Sequence, residues 1–311
     1  MASGQERILR RRIRSVQSTK KITRAMELIA ATRVVKAQHR ASAARPYSEQ
    51  ITAVIEHLAD RGAGGSYALL RQPEAVRKVA LVVITSDRGL AGAYNASVIR
   101  AAERELMALQ TEGKDYSLVL VGKKALGYFT FRNYRIDASF LGMSDTPTYN
   151  DAVKVASVVR EAFEEGDVDQ VNLVYTRFIS LGSQRVVVRR FMPLQTREGN
   201  GDAGGLTADY EYEPGTGEIL DHLLPRYVEA RILAALLDAS ASEHAARQRA
   251  MKAATDNAEE LIKNLSIVAN KVRQAGITTE IMEIVGGAEA LRQAGATQSN
   301  SEPLESSGAR S

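Results

Sequence analysis

From about Ile219 to Ala290 the apolar residues of this chain return at helical spacing. Pro225 lies near the start of that stretch, and no other proline follows before Pro303. About seventy residues of helix reach on the order of 100 Å. A small globular domain cannot enclose such a length, so the helix must project and needs a second helix along its apolar stripe. The only candidate is the N-terminal segment from about Gln5 to His57, roughly 75 Å on the same rise per residue. The expectation is a coiled coil of the two chain ends, with whatever lies between them folded as a separate body.

The seam can be read from the spacing. In the C-terminal helix the residues Ala254, Ala258, Leu261, Leu265, Val268, Val272 and Ala275 step alternately by four and three, the coiled-coil pattern. In the N-terminal helix Leu9, Ile13 and Val16 form one group, Ile22, Met26 and Ile29 a second, and Ala30, Val34, Ala37, Ala41 and Ala44 a third. The stripe drifts between these groups, which suits a helix wrapping a partner without strict heptads throughout. Pro46 is expected to kink or break the helix, at a cost of roughly 3 kcal/mol. RGAGGS (61–66) ends the segment.

The middle alternates strand and helix patterns. KVALVVITS (78–86), YSLVLVG (116–122), a stretch near RIDASF (135–140), VNLVYTRF (171–178) and QRVVVRRF (184–191) read as strands. Helical patterns fall between them at 95–110 and 151–165. Alternation of this kind implies a mainly parallel sheet with helices on its faces, a Rossmann-like α/β body. The chain thus divides into an N-terminal coiled-coil helix (1–60), an α/β globular domain (75–195), a polar loop (196–218), a C-terminal coiled-coil helix (219–290) and a disordered polar tail (291–311).

Charge and chemistry narrow the function classes. The net charge is only +4, but up to Arg45 twelve Lys and Arg face two acidic residues, so the basic end seeks an acidic partner. There is no cysteine, which removes disulfide, thiolate and zinc-thiolate chemistry. No signal peptide and no membrane-length apolar run are visible. The loop TSDRGLAGAYN (85–95) follows a strand and precedes a helix. Its Gly89-x-x-Gly92 spacing matches no phosphate-binding motif, so it reads as a tight turn with Asp87 and Arg88 in surface contacts. His39, His57, His222 and His244 have no metal-like spacing and read as surface or packing residues. RRRIR (10–14) could grip nucleic acid, but no aromatic residue interleaves it and it shares a helix with the apolar stripe. The α/β middle also leaves a nucleotide-binding enzyme open, since fold alone does not give function.

Three stretches, IRSVQSTKKITRAMELIAATRVVKAQ, ITSDRGLAGAYN and ASEHAARQRAMKAATDNAEELIKNLSIVANKVRQAGITTEIMEIVGGAEAL, resemble the gamma subunits of F-type ATP synthases. The likeness runs from about Ile8 to Leu291. It implies a non-catalytic central rotor shaft, built as an antiparallel coiled coil of the N- and C-terminal helices, that couples proton-driven rotation of a ring of c subunits to the conformational cycle of catalytic beta subunits. The implied partners are three alpha and three beta subunits, epsilon and the c-ring, with one copy of this chain per complex. The implied location is peripheral, on the cytoplasmic face of a bacterial cell membrane. No cofactor, metal or nucleic acid is implied. Carried over residue by residue, Met26, Arg247, Arg273, Gln274, Thr278 and Glu280 match coupling contacts to beta and alpha, and Tyr210, Tyr212 and Glu213 match the foot on the c-ring and epsilon. For Arg273 the alternative is an ordinary solvated charge. Ala91 stands where many relatives carry cysteine, and no redox-regulated insert is present.

Overall fold

The computed structural model describes residues 2–60, 67–70, 72–194 and 216–299. Helix α1 (Ala2–Asp60) opens the chain. Then come a short 3-10 turn (Ala68–Leu70), β1 (Lys78–Ile84), α2 (Tyr94–Thr111), β2 (Asp115–Val121), α3 (Lys123–Phe131), β3 (Ala138–Phe140), α4 (Tyr149–Glu164), β4 (Gln170–Phe178), β5 (Gln184–Met192) and α5 (Thr216–Ser299). The chain separates into two compact units, 1–23 with 253–311, and 24–252. Both long helices contribute to each.

In the larger unit five strands lie in the order β3-β2-β1-β4-β5. The first four pair in parallel, and β5 returns antiparallel along β4. The central strands β1, β2 and β4 are buried on both faces, which explains why β1 reads as continuous Val, Leu and Ile. One face carries Leu81, Val83, Leu118, Leu120 and Val174 against α2 and α3. The other carries Ala80, Val82, Val119, Val121, Leu173 and Tyr175, packed against α4, Ile51, Ile55 and Leu58 of α1, and Leu220 to Ala239 of α5. Helix α4 starts on a reciprocal cap: the Asp151 amide donates to the Thr148 hydroxyl at 3.3 Å, and the Thr148 amide donates to the Asp151 carboxylate at 2.9 Å.

In the smaller unit the chain ends run antiparallel. The Thr23 and Thr255 hydroxyls meet at 2.9 Å, and Lys20 pairs with Glu259 at 3.2 Å. The covered positions differ from the spacing-based expectation. On α5 they include Ala254, Thr255, Ala258, Ile262, Leu265, Ala269, Val272 and Gly276, while Leu261, Val268 and Ala275 are exposed. Three of the seven expected seam positions, Leu261, Val268 and Ala275, are therefore displaced to their C-terminal neighbours, while Ala254, Ala258, Leu265 and Val272 are covered as expected. On α1 the covered positions in this unit are Glu6, Leu9, Ile13, Val16, Lys20 and Thr23. The alternation continues in the larger unit through Glu27, Ala30, Val34, Ala37, Ala41, Ala44, Ser48, Ile51, Ile55 and Leu58. The stripe does not drift. It keeps a strict three-four alternation along the helix, and the expected Ile22 and Ile29 are 58% and 53% exposed. On α5 the small or hydroxyl-bearing Thr255, Ala258, Ala269 and Gly276 share the covered positions with Ile262, Leu265 and Val272, and the Thr23 and Thr255 hydroxyls bond across the contact.

Two further expectations change. Pro46 does not break α1. It stands on the exposed side, where water can solvate the Ser42 carbonyl that loses its amide donor. Helix α5 runs from Thr216 to Ser299, past both ends of the expected 219–290, so the polar tail is helical to that point.

Candidate coupling surfaces

The carboxyl ends of β1 and β4 are where a doubly wound sheet opens a ligand crevice. Here α5 crosses them. The Ser242 hydroxyl donates to the Thr176 carbonyl at 3.0 Å, and the Tyr94 hydroxyl donates to the Ala239 carbonyl at 3.2 Å. Arg247 donates to the Gly89 carbonyl at 3.3 Å. The helix narrows the crevice to a cavity of about 390 Å³ lined by Gly92, Tyr94, Thr176, Gln184, Arg249 and Ala250.

The loop after β1 is built around Asp87, which sequence reasoning left as a surface contact. One carboxylate oxygen accepts from the Lys123 amide at 3.1 Å. The other accepts from the Gly142 and Ser144 amides at 3.0 and 3.2 Å. The Asp87 amide in turn donates to the Ser144 hydroxyl at 2.9 Å. Asp87 therefore ties together the loops after β1, β2 and β3. Gly122 allows this closure: its φ is +95°, and a Cβ there would lie 2.3 Å from the Thr85 carbonyl oxygen.

Behind the loop lies a buried polar cluster. Arg247 and Glu243 pair at 2.6 Å, one turn apart on α5, and both are more than nine-tenths buried. Burial pushes the Glu243 carboxyl above its ordinary range, and the Arg247 guanidinium opposes that rise. His244 Nε2 lies 3.1 Å from the Asp145 carbonyl, which can only accept, so the proton sits on Nε2. Nδ1 then accepts from Arg247 at 3.4 Å. Burial lowers the His244 pKa and keeps the ring neutral. Asp145 is shared further: Arg33 of α1 pairs with its carboxylate, and the Ser240 hydroxyl donates to its carbonyl at 3.0 Å. This cluster pins α1 and α5 to the loop after β3. Among the described residues it contains no nucleophile–base pair, and no group of residues there could hold a metal.

The predicted contact residues fall into three sets. Arg247 is turned inward, so a direct contact from its side chain to another subunit is not what this geometry provides; its partners are Glu243, His244 and Gly89. Met26 is half-buried beside the covered stripe of α1. Arg273, Gln274, Thr278 and Glu280 all lie exposed on α5 in the smaller unit, with the Thr278 hydroxyl bonded back to the Gln274 carbonyl at 2.9 Å. Tyr210, Tyr212 and Glu213 lie outside the described residues.

Sequence reasoning missed a surface that adjoins the exposed set. Past Gly276 every α5 residue described to Arg292 is exposed, yet Ile277, Ile281, Met282, Ile284, Val285 and Leu291 are apolar, with Met282 at 72% exposure. No described residue of α1 covers them. The signal was legible in TTEIMEIV: its apolar residues exceed what a solvated helix needs.

An α/β sheet domain inserted in the sequence between two long helices, whose ends pair antiparallel, defines the class of protein. Comparison gives the family. The family model described as ATP synthase matches residues 5–291. The ATP synthase gamma chain of Frankia casuarinae is 51% identical over 294 residues, covering 93% of this chain and 98% of that one. That of Streptomyces coelicolor is 46% identical over 304 residues, covering 96% and 99%. The chain belongs to the ATP synthase gamma chain family. Its fold is similar to a chain in the central stalk and c-ring structure of Tetrahymena thermophila mitochondrial ATP synthase, with a TM-score of 0.58 at 24% identity over 75% of this chain and 99% of that one. It is also similar to a chain in the Euglena gracilis mitochondrial ATP synthase, with a TM-score of 0.64 at 18% identity over 99% and 100%.

Proposed function

We propose that this chain is the central rotor of a proton-driven rotary ATP synthase and forms no bonds itself. It transmits rotation from a c-ring to catalytic beta subunits by presenting a different face to each of three sites at each angle, so that each site is biased to a different conformation. The observation that carries this reading is the end of α5. Apolar residues from Ile277 to Leu291 stand exposed on a helix with no covering segment among the described residues, as a shaft tip seated in a sleeve of other subunits requires.

In this reading Arg273, Gln274, Thr278 and Glu280 contact the surrounding alpha and beta subunits, and Met26 contributes from the N-terminal helix. Arg247 acts through the Gly89 loop as a positioning residue. Tyr210, Tyr212 and Glu213 form the foot on the c-ring and epsilon. The paired terminal helices act as the shaft. One copy assembles with three alpha and three beta subunits, peripheral to the cytoplasmic face of a bacterial membrane. No helix among the described residues is long and apolar enough to cross a bilayer.

Co-expression with alpha and beta subunits tests the assignment. A purified complex with one copy of this chain to three of each partner, whose ATPase activity needs the chain, is the expected result. Partners that purify without it, or with equal activity in its absence, remove the reading. Arg273→Ala in the membrane-reconstituted enzyme tests the contact set, and unchanged ATP-driven proton pumping and synthesis would strike Arg273 from it.

A further inference from the structure

Between α1, α5 and the β4–β5 hairpin lies a groove of about 170 Å³, separate from the coupling surfaces. Each element supplies an arginine. Arg45 comes from α1 beside Glu49, Arg177 from β4 two residues beyond Tyr175, Arg189 from β5, and Arg231 from α5 together with Asp238. Tyr175 and Arg177 share a sheet face because side chains alternate along a strand. On α5, Arg231 and Asp238 are seven residues apart and so fall on one side of the helix. The placement is therefore dictated by register and not by chance crowding of long side chains.

Four guanidinium groups face two carboxylates, and the charges are not matched. Among the described residues, Arg45, Arg177 and Arg189 have no ion pair or side-chain hydrogen bond. Arg231 has only the Tyr227 ring, 5.9 Å from its guanidinium carbon. Arg45, Arg177 and Arg189 are exposed and Arg231 is half-buried, so guanidinium groups gathered around one cavity have donors held only by water that an anion can displace. We infer that the groove of Arg45, Arg177, Arg189 and Arg231 is a binding site for a small phosphate-bearing anion of one or two phosphoryl groups. The planar fork of arginine matches phosphate oxygens two at a time, which lysines in the same places would not do. Size selects within the anions. The cavity holds on the order of ten waters, enough for a diphosphate. It is smaller than the ~300–1,000 Å³ of sites that enclose a whole drug-sized ligand, so a nucleotide could seat only its phosphates.

Asp238 makes the site proton-linked. Burial raises its pKa to about 6, against the pull of Arg45 and Arg177. The groups facing it are Arg45 and Glu49 from α1, Tyr175 and Arg177 from β4, Arg189 from β5 and Arg231 on its own helix. An anion seated among the arginines screens the charges that help Asp238 ionise and repels its carboxylate. Binding therefore takes up a proton and tightens as pH falls through 6.

Calorimetric titration of the full chain with inorganic pyrophosphate, at ~150 mM salt where exposed charges are screened beyond ~8 Å, tests the site. Saturable binding of one anion per chain is expected, and Arg177→Gln with Arg189→Gln should weaken it by about tenfold or more while the melting temperature without ligand holds. Titration with sulfate, whose charge is constant from pH 5 to 8, reads the proton linkage. Its affinity should rise as pH falls, and Asp238→Asn should bind as tightly at pH 7.5 as at pH 5.5. Vesicles carrying phosphatidate distinguish a soluble anion from a lipid headgroup: binding of pyrophosphate alone identifies the former, and vesicle capture displaced by pyrophosphate the latter. Absence of saturable binding at that salt, equal binding by the arginine double variant, or equal affinity for citrate overturns the inference. So does vesicle capture that pyrophosphate leaves intact.

Discussion

Arg247 and Glu243 are each more valuable to the fold together than either is alone. Their 2.6 Å contact is buried, so truncating one partner strands a charge in a site that cannot hydrate it. Arg247→Ala should cost about 3–5 kcal/mol in urea unfolding of the full chain, while Arg247→Met with Glu243→Leu should cost markedly less, because no charge is left behind. Neighbouring titrations have opposite signs. His244 is held neutral with a lowered pKa, so its contribution is complete above pH 6.5 and is lost as pH falls below that value. Asp238 has a folded pKa of about 6 against an ordinary 3.8, so its stabilising contribution is present below 3.8 and lost as pH rises through 6. Asp238→Asn should therefore stabilise the chain at pH 7 by up to about 3 kcal/mol, and the gain should vanish near pH 4 in unfolding curves taken across that range. Little of this was legible in the sequence. Arg247 could be matched to a family position, but its acceptor on Gly89 lies 158 residues away, and the carbonyl that orients His244 lies 99 residues away. Spacing rules see neighbours within a few turns. They do not see which loops a fold brings over a helix, and so Asp87, the organiser of three loops, read as an ordinary surface acid.

Strands and helices were much more legible than the face each helix buries. The run VALVVI and the alternating strand and helix patterns locate the sheet, because burial on both faces writes itself as unbroken apolar residues. Most coiled-coil positions were legible, and those misread by one residue on each helix share one reason. A search for large apolar side chains picks Ile22, Leu261 and Val268, whereas the contact covers their neighbours Thr23, Ile262 and Ala269, only one of which is large. The correction can be checked by adjacent substitutions. Val268 is 46% exposed, so Val268→Ala should change stability by less than about 0.5 kcal/mol. Ala269 is 7% exposed, so Ala269→Leu should overpack the contact and cost about 1–3 kcal/mol in thermal unfolding followed by helical circular dichroism. The reverse ranking would restore the register expected from apolar spacing. Pro46 makes the same point about position: a residue that breaks helices in general is tolerated where its orphaned carbonyl faces water.

A chain that keeps apolar residues uncovered when it could have replaced them is organised for assembly. Helix propensity alone would be served as well by glutamine or lysine at Ile281, Ile284 and Val285, and the exposed apolar area confers no stability on the free chain. Its free energy is recovered only when something covers it, at roughly 25 cal/mol per Å² of apolar surface removed from water. Outside a complex the same surface is a liability, so the isolated chain should self-associate. Ile281→Gln, Ile284→Gln and Val285→Gln combined should lower that association in sedimentation velocity at matched concentration. They should change the melting temperature little, because these side chains are mostly exposed within their own chain. In co-expression with alpha and beta subunits the same variant should be recovered in the complex less efficiently than the parent. Equal recovery together with equal self-association would mean that the apolar end of α5 is not the surface through which this chain meets its partners, and the rotor reading would then have to rest on family membership alone.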